Sequence, residues 1–282
     1  MDGLPFSHVI HHQVSSALME DWGIEGDLTS FLVPVDVFVN AKLVVRESAV
    51  LCGQRWFDSA FFQVDQSTDV RWFFSDGDVL SPGSVVAEIS GCARSIFSAE
   101  RVALNFLQML SGVATRTSSF VSLIKHTECQ IYDSRKTLPG LRLAQKYAVL
   151  CGGGKNHRFG LYDMALIKDN HIAAVGGVSE ACDRMKEILS RSDSHIPIMV
   201  EVETLDQMRE ALDCGINMIM LDNMLPSLVR EAVKVNKGRA ILEVSGGIAE
   251  DTVCLYAETG VGRISVGVLT KSLFSTDFSL QV

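Results

Sequence analysis

The sequence predicts an α/β protein in which a reduced α/β barrel follows a small β-rich domain, and three observations carry that expectation. After Gln130, short apolar strands alternate with helical patterns. Between Asn40 and Ser90 the chain instead shows short β-rich runs broken by turn signals. The stretch from Asp133 to His171 then concentrates Arg135, Lys136, His157, Arg158 and Lys168 where strands give way to loops.

Composition bounds what these elements can do. The 282 residues are 47% hydrophobic, ample for a buried core in one large or two ordinary domains. A formal charge of -9, from 25 Lys+Arg against 34 Asp+Glu, speaks against a nucleic-acid partner. No window reaches the ~18 apolar residues of a membrane span, and Met1 to Ser16 lacks the basic-then-apolar pattern of a signal peptide. A cytoplasmic protein is expected. Seven cysteines, dispersed and without a C-x-x-C pair, indicate neither a disulfide framework nor a zinc knuckle.

Taken in order, His8 to Asp21 places Val9, Val14, Ala17 and Leu18 at amphipathic helical spacing, ending near Gly23. His8, His11 and His12 lie on this helix without a carboxylate or thiol beside them, so an exposed face explains them better than a metal site. Strands are expected at Ala41 to Arg46, Val70 to Phe74 and Val85 to Ile89, separated by Asp76-Gly77-Asp78 and Ser81-Pro82-Gly83. The D-G-D-V-L-S-P-G string is similar to part of a biotinyl or lipoyl carrier. No lysine occurs between Lys42 and Lys125, so the reading is a structural β-sandwich. Ser95 to Lys125 is helical in pattern, with Ser98 as the N-cap and Leu104, Leu107, Met109 and Leu110 on apolar faces. Arg101 and Arg116 read there as solvated charges.

Beyond Gln130, strands are expected at Gln130 to Asp133, Met164 to Ile167, Ile198 to Val202, Met218 to Leu221, Ala240 to Val244 and Arg263 to Val266. Helices are expected around Leu141 to Leu150, Ser179 to Leu189, Leu205 to Cys214, Pro226 to Val235 and Asp251 to Thr259. Such βα alternation makes a mainly parallel sheet. A full eight-unit barrel takes ~250 residues, more than remain, so the choice lies between a barrel with fewer strands and an open sheet, and the reduced barrel is preferred.

Barrel enzymes place chemistry at the C-terminal ends of their strands. Here those ends carry Arg135-Lys136, Lys168-Asp169-Asn170-His171, Glu201 and Glu203, Asp222-Asn223, Ser245-Gly246-Gly247 and Gly267. Any one charge alone is a surface residue by default; their recurrence in successive βα units puts them around a common centre. Ser245-Gly246-Gly247 and the turn at Gly267 suit a backbone cradle for an anion at a helix N-terminus. Glu201 and Asp222 suit Mg²⁺, which takes one or two carboxylates plus water and phosphate oxygens, unless they only balance nearby lysines. Lys168 is either an anion contact or a Schiff-base amine, and the cations around it favour the anion contact.

Longer strings add a resemblance. G-D-L-T at Gly26 to Thr29, A-E-R-V-A-L-N-F at Ala99 to Phe106, S-R-K-T-x-P-G-L-R at Ser134 to Arg142, K-Y-A-V-x-C-G-G-G-x-N-H-R at Lys146 to Arg158 and G-L-Y-D-M-x-L-I-K-D-N-H at Gly160 to His171 are followed by E-V-E, L-D-N and S-G-G-I. In these the chain resembles the quinolinate phosphoribosyltransferase family, the carboxylating nicotinate-nucleotide pyrophosphorylases of de novo NAD synthesis, over nearly its whole length.

The resemblance implies an N-terminal α/β sandwich (1–115) and a C-terminal α/β barrel of fewer than eight strands (116–282), the C-terminal tail packing back on the first domain. It also implies a homodimer whose sites are shared between subunits, with Arg101 reaching across from the partner. Arg135, His157, Arg158 and Lys168 would hold the two carboxylates of quinolinate. Lys136 and the Ser245, Gly246, Gly247 and Gly267 loops would face phosphoribosyl pyrophosphate (PRPP), and Glu201 and Asp222 would hold Mg²⁺. The implied catalytic set is Lys136, Lys168, Glu201 and Asp222. Family members often have L-T-H-S after the last strand; here Leu269-Thr270-Lys271-Ser272 puts Lys271 in the histidine's place, where it can still contact phosphate.

Overall fold

Alternation along Ala41, Leu43 and Val45, all fully buried, gives the N-terminal part a core-facing strand, and the rest of the chain follows from similar local patterns. The computed structural model describes residues 7–191, 195–272 and 274–282. Residues 1–6 of the stretch read for a signal peptide lie outside the described residues. In chain order the elements are α1 (Ser7–Trp22), β1 (Phe38–Val45), β2 (Ala49–Val50), α2 (Gln54–Val64), β3 (Asp69–Trp72), β4 (Val79–Leu80), β5 (Val85–Cys92) and α3 (Ala93–Leu123). Then come β6 (Gln130–Tyr132), α4 (Arg142–Cys151), β7 (Ala165–Ile167), α5 (Asp169–Val175), α6 (Val178–Arg191), β8 (Ile198–Val202), α7 (Leu205–Asp213) and β9 (Met218–Asp222). The chain closes with α8 (Pro226–Asn236), β10 (Ile241–Ser245), α9 (Val253–Ala257), β11 (Arg263–Ser265), α10 (Val268–Lys271) and β12 (Phe278–Gln281).

These elements form two compact units. The first contains the residues up to Ser118 together with Thr137–Gly153 and Leu269–Val282; the second contains Ser119–Lys136 and Gly154–Val268. The division expected at 115/116 falls inside the continuous helix α3, and α4, read from sequence as part of the barrel run, belongs with the first unit.

In the first unit an antiparallel sheet has the order β12-β1-β5-β3, with the C-terminal strand on its edge, and β2 and β4 pair separately. Helix α2 lies in a stretch that the sequence pattern assigned to strands alone. Its aromatic residues Trp56, Phe57 and Phe61 are buried, and Phe57 meets Trp72 edge-on at 5.1 Å, so they pack the sheet's helical cover. Ser98 is not an N-cap, since α3 begins five residues earlier; its hydroxyl donates instead to Asp27 Oδ2 at 2.6 Å. Nor is Arg116 a solvated charge: Nη1 donates to the Ser272 carbonyl at 2.7 Å and the guanidinium lies over the Phe274 ring.

In the second unit six parallel strands run in the order β6-β11-β10-β9-β8-β7, with helices as crossovers. Among the described residues no ladder joins β6 to β7, so the barrel is open between its first two strands. A short parallel bridge from Tyr132 to Lys155 extends the β6 edge. The interior is methionine-rich, with Met199, Met218 and Met220 packed against Met164 and Leu166. Among the described residues no helix is long and apolar enough to cross a membrane.

Candidate active site

Strand register decides which side chains meet at the rim. Ile167 pairs with Val200, so the residues that follow, Lys168 just past β7 and Glu201 in β8, emerge side by side. Their side chains form an ion pair between Lys168 Nζ and Glu201 Oε2. Ser245 pairs with Asp222 across β10 and β9, and Ser265 with Tyr132 across β11 and β6. One cavity of about 230 Å³ opens on this rim, lined among others by Arg135, Lys136, His157, Arg158, Lys168, Glu201 and Ser245. Sequence reading named all seven.

Each lining residue is held by its own segment. The chain at Lys155 hydrogen-bonds along β6, Lys155 N to Ile131 O at 2.8 Å and Asp133 N to Lys155 O at 3.0 Å, which delivers His157 and Arg158 beside Asp133. The buried Asp133 carboxylate accepts the His157 N–H at 2.8 Å. Arg158 N–H donates to His157 Nδ1 at 2.7 Å, so the ring's hydrogen is carried on Nε2, which lies 3.3 Å from Glu243 Oε1. Arg158 Nη1 donates to the Met164 carbonyl at 3.2 Å. Lys168 sits between β7 and α5, its N–H donating to His171 Nδ1 at 3.0 Å.

The electrostatics are those of a site short of negative charge. Burial, with Arg135's charge second, pulls the Arg158 guanidinium below its ordinary value, while Asp163 and Glu201 oppose the shift. Two guanidiniums and two ammonium groups around a small cavity are relieved by an anion with several oxygens.

Asp222, Gly246, Gly247 and Gly267 stand at neighbouring strand ends without lining this cavity. Asn223, at φ 53°, turns the chain after β9; its N–H donates to the Ser245 carbonyl at 3.0 Å and its Nδ2 to Asp222 Oδ2 at 2.7 Å. Gly246 has a φ of +99°, and a Cβ there would stand 2.2 Å from Asn223 Oδ1, so glycine is required for the two turns to nest. A Cβ at Gly267 would meet Lys136 Cδ at 3.3 Å, which places that turn against the Lys136 side chain. Arg101, exposed on α3, and Lys271, exposed at the end of α10, belong to the first unit.

Two residues escaped the sequence reading. Glu243 is fully buried in the middle of β10, and Asp133 is fully buried just after β6. The available signal was a carboxylate inside an apolar parallel strand, where an ionisable group is costly without a partner.

A parallel βα sheet whose strand ends gather cations and carboxylates around one cavity, with glycine turns at neighbouring strand ends, defines an α/β-barrel enzyme for anionic substrates. The models of the quinolinate phosphoribosyl transferase N-terminal and C-terminal domains match residues 27–111 and 113–281. The chain belongs to the quinolinate phosphoribosyl transferase family. It is 41% identical to the chloroplastic nicotinate-nucleotide pyrophosphorylase [carboxylating] of Oryza sativa subsp. japonica, over 95% of this chain and 76% of the relative. It is 40% identical to the probable nicotinate-nucleotide pyrophosphorylase [carboxylating] of Bacillus subtilis, over 100% and 95%. The solved structure of nicotinate-nucleotide pyrophosphorylase from Francisella tularensis superimposes with a TM-score of 0.95 at 40% identity, covering 99% of this chain and 98% of that one.

Proposed function

We propose that the chain transfers the phosphoribosyl group of PRPP to the ring nitrogen of quinolinate, with loss of the 2-carboxylate as CO₂, giving nicotinate mononucleotide and pyrophosphate. The observation that carries this reading is the convergence of Arg135, Lys136, Arg158 and Lys168 on one cavity that also holds Glu201. Quinolinate brings two carboxylates to such a site, and PRPP brings further phosphate oxygens.

Arg135 and Arg158 clamp the carboxylates in a bidentate manner. His157 lines the clamp, its Nδ1 accepting the Arg158 N–H and its Nε2 facing Glu243. Lys168, paired to Glu201, binds the same dianion rather than acting as a Schiff-base amine. Lys136, packed against the Gly267 turn, binds PRPP together with the Ser245-Gly246-Gly247 turn and, at its phosphates, Lys271. Arg101 is supplied by the partner of a homodimer. The exposure of Ile24, Phe31 and Leu32, at 100%, 67% and 84% of their surfaces, supports such an assembly.

The pyridine nitrogen attacks the anomeric carbon as pyrophosphate leaves, through a transition state with cationic character. Glu201 and Asp222 stand on adjacent strands to stabilise that charge. The new bond leaves the nitrogen positive, so the electron pair released with CO₂ is stabilised at the neighbouring carbon and is then protonated. The oxygen-only donor set of Glu201 and Asp222 fits Mg²⁺. When bound, Mg²⁺ would neutralise charge on the leaving pyrophosphate. A reducing compartment such as the cytoplasm is part of the proposal, supported by seven free cysteines.

The test is PRPP-dependent release of CO₂ from carboxyl-labelled quinolinate, with and without Mg²⁺, with nicotinate mononucleotide measured in the same reaction. Matching yields are expected. A folded protein that binds PRPP yet releases neither product would refute the assignment.

A further inference from the structure

Within the first unit, and outside the cavity described above, four reactive side chains meet. Cys52 Sγ, Cys151 Sγ and a carboxylate oxygen of Asp76 all lie within 4.8 Å of one another. Tyr147, one turn before Cys151 on α4, donates its hydroxyl to Asp76 Oδ2 at 2.9 Å. Both cysteines are fixed by their backbones. Ser111 Oγ accepts the Cys52 N–H at 3.0 Å and donates to the Cys52 carbonyl at 3.1 Å. Cys151 ends α4, and the next residue, Gly152, lies so close to Ala114 that a Cβ would stand 2.3 Å from its carbonyl oxygen.

We propose that Cys52 and Cys151 form a two-electron redox site, a dithiol that a peroxide-class oxidant converts to an intramolecular disulfide. Cys151, partly exposed, is the attacking sulfur; Cys52, fully buried behind it, is the resolving one. The Cys151 thiolate displaces hydroxide from hydrogen peroxide to give a sulfenic acid. Cys52 sulfur then attacks the sulfenic sulfur, and the departing hydroxide takes the Cys52 proton as water. In sum two thiols and one peroxide give one disulfide and two waters, the thiols losing two electrons and two protons. The hydrogen bond from Cys52 holds the Cys151 thiol below its ordinary value against burial, while burial pushes Cys52 well up. That asymmetry makes Cys151 the sulfur that meets the oxidant first.

A bound cation such as Zn²⁺ is the competing use of this cluster. Two features oppose it. Asp76 already accepts from the Gly53 and Gln54 N–H groups and from Tyr147. A zinc site would require both thiols ionised beside that carboxylate, leaving a net negative charge buried. A disulfide leaves none.

The experiment treats the reduced full-length protein with hydrogen peroxide, blocks remaining thiols, and maps peptides by mass spectrometry without reduction. The Cys52 and Cys151 peptides are expected joined, two hydrogens lighter than their sum, and separated again by dithiothreitol. Cys52→Ser should leave Cys151 trapped as a sulfenic acid that dimedone labels. Because the wild-type map carries the result, a poorly folding variant does not remove the test. Two outcomes would overturn the proposal: Cys151 oxidised to sulfinic acid without the cross-link, or zinc retained stoichiometrically with both thiols protected.

Discussion

His157 Nε2 lies 3.3 Å from Glu243 Oε1, with 7% and 0% of the two side chains exposed, so a fully buried carboxylate faces the imidazole beside the candidate cavity. Replacing Glu243 with leucine takes away the carboxylate that faces the imidazole and turns that buried polar edge toward an apolar group, at a cost of about 1–3 kcal/mol. Glutamine still presents an oxygen to it. Glu243→Leu should therefore unfold at lower urea and show a raised KM for quinolinate, while Glu243→Gln recovers most of both. Equal loss in the two variants would mean that charge, not orientation, is what Glu243 supplies.

The two substrates should separate by mutation. Arg158→Ala removes a guanidinium crowded by Arg135 and should weaken quinolinate binding about 10- to 100-fold, the worth of one charge-assisted contact. Lys136→Ala should weaken PRPP to a similar degree and leave quinolinate nearly unchanged. Titration calorimetry of each variant with each ligand decides, and the assignment fails if both variants lose both ligands equally.

Adjacent glycines of the turn after β10 should respond differently to alanine. At Gly246 a Cβ meets Asn223 Oδ1 at 2.2 Å on a backbone with φ +99°, whereas at Gly247, with φ +61°, nothing lies within 4 Å. Gly247→Ala then carries only the left-handed backbone cost, about 1–2 kcal/mol. Gly246→Ala must also push the Asp222-Asn223 turn aside, and should lose more stability and raise the KM for PRPP further. Paired urea melts and initial rates on the two variants test the order.

Part of the rim was legible because some of its residues directly follow an apolar run, and strand ends are where parallel sheets expose side chains. Lys168, Glu201, Asp222 and Ser245 all obey that rule. Glu243 and Asp133 were not legible, since a carboxylate's burial depends on the partner it meets, and here His157 comes from a distant segment. Helix α2 was missed for another reason: Trp56, Phe57 and Phe61 belong to residue types enriched in strands, yet they fall on one helical face. Likewise, local pattern gave α4 its helix but could not reveal that it packs in the first unit, where Gln145 Nε2 donates to the Thr270 carbonyl at 3.0 Å.

Asp58 gives a stability effect with a defined pH window. Burial, assisted by the neighbouring charge of Asp76, raises its carboxyl from 3.8 to about 6, against the lowering effect of the Trp72 indole N–H that donates to Asp58 Oδ1 at 2.8 Å. The folded chain thus holds this proton more tightly than the unfolded chain. Its contribution is fully present below the unfolded value near 3.8 and is lost as pH rises through about 6. A difference of roughly two pH units bounds the effect at about 3 kcal/mol. Asparagine keeps the acceptor for Trp72 and never ionises, so Asp58→Asn should be more stable than the parent by about 1–3 kcal/mol at pH 8. The advantage should hold down to about pH 6, then shrink on further acidification and vanish near pH 4. Urea unfolding of both proteins across this range measures it, and a gain independent of pH would show that ionisation of Asp58 is not its source.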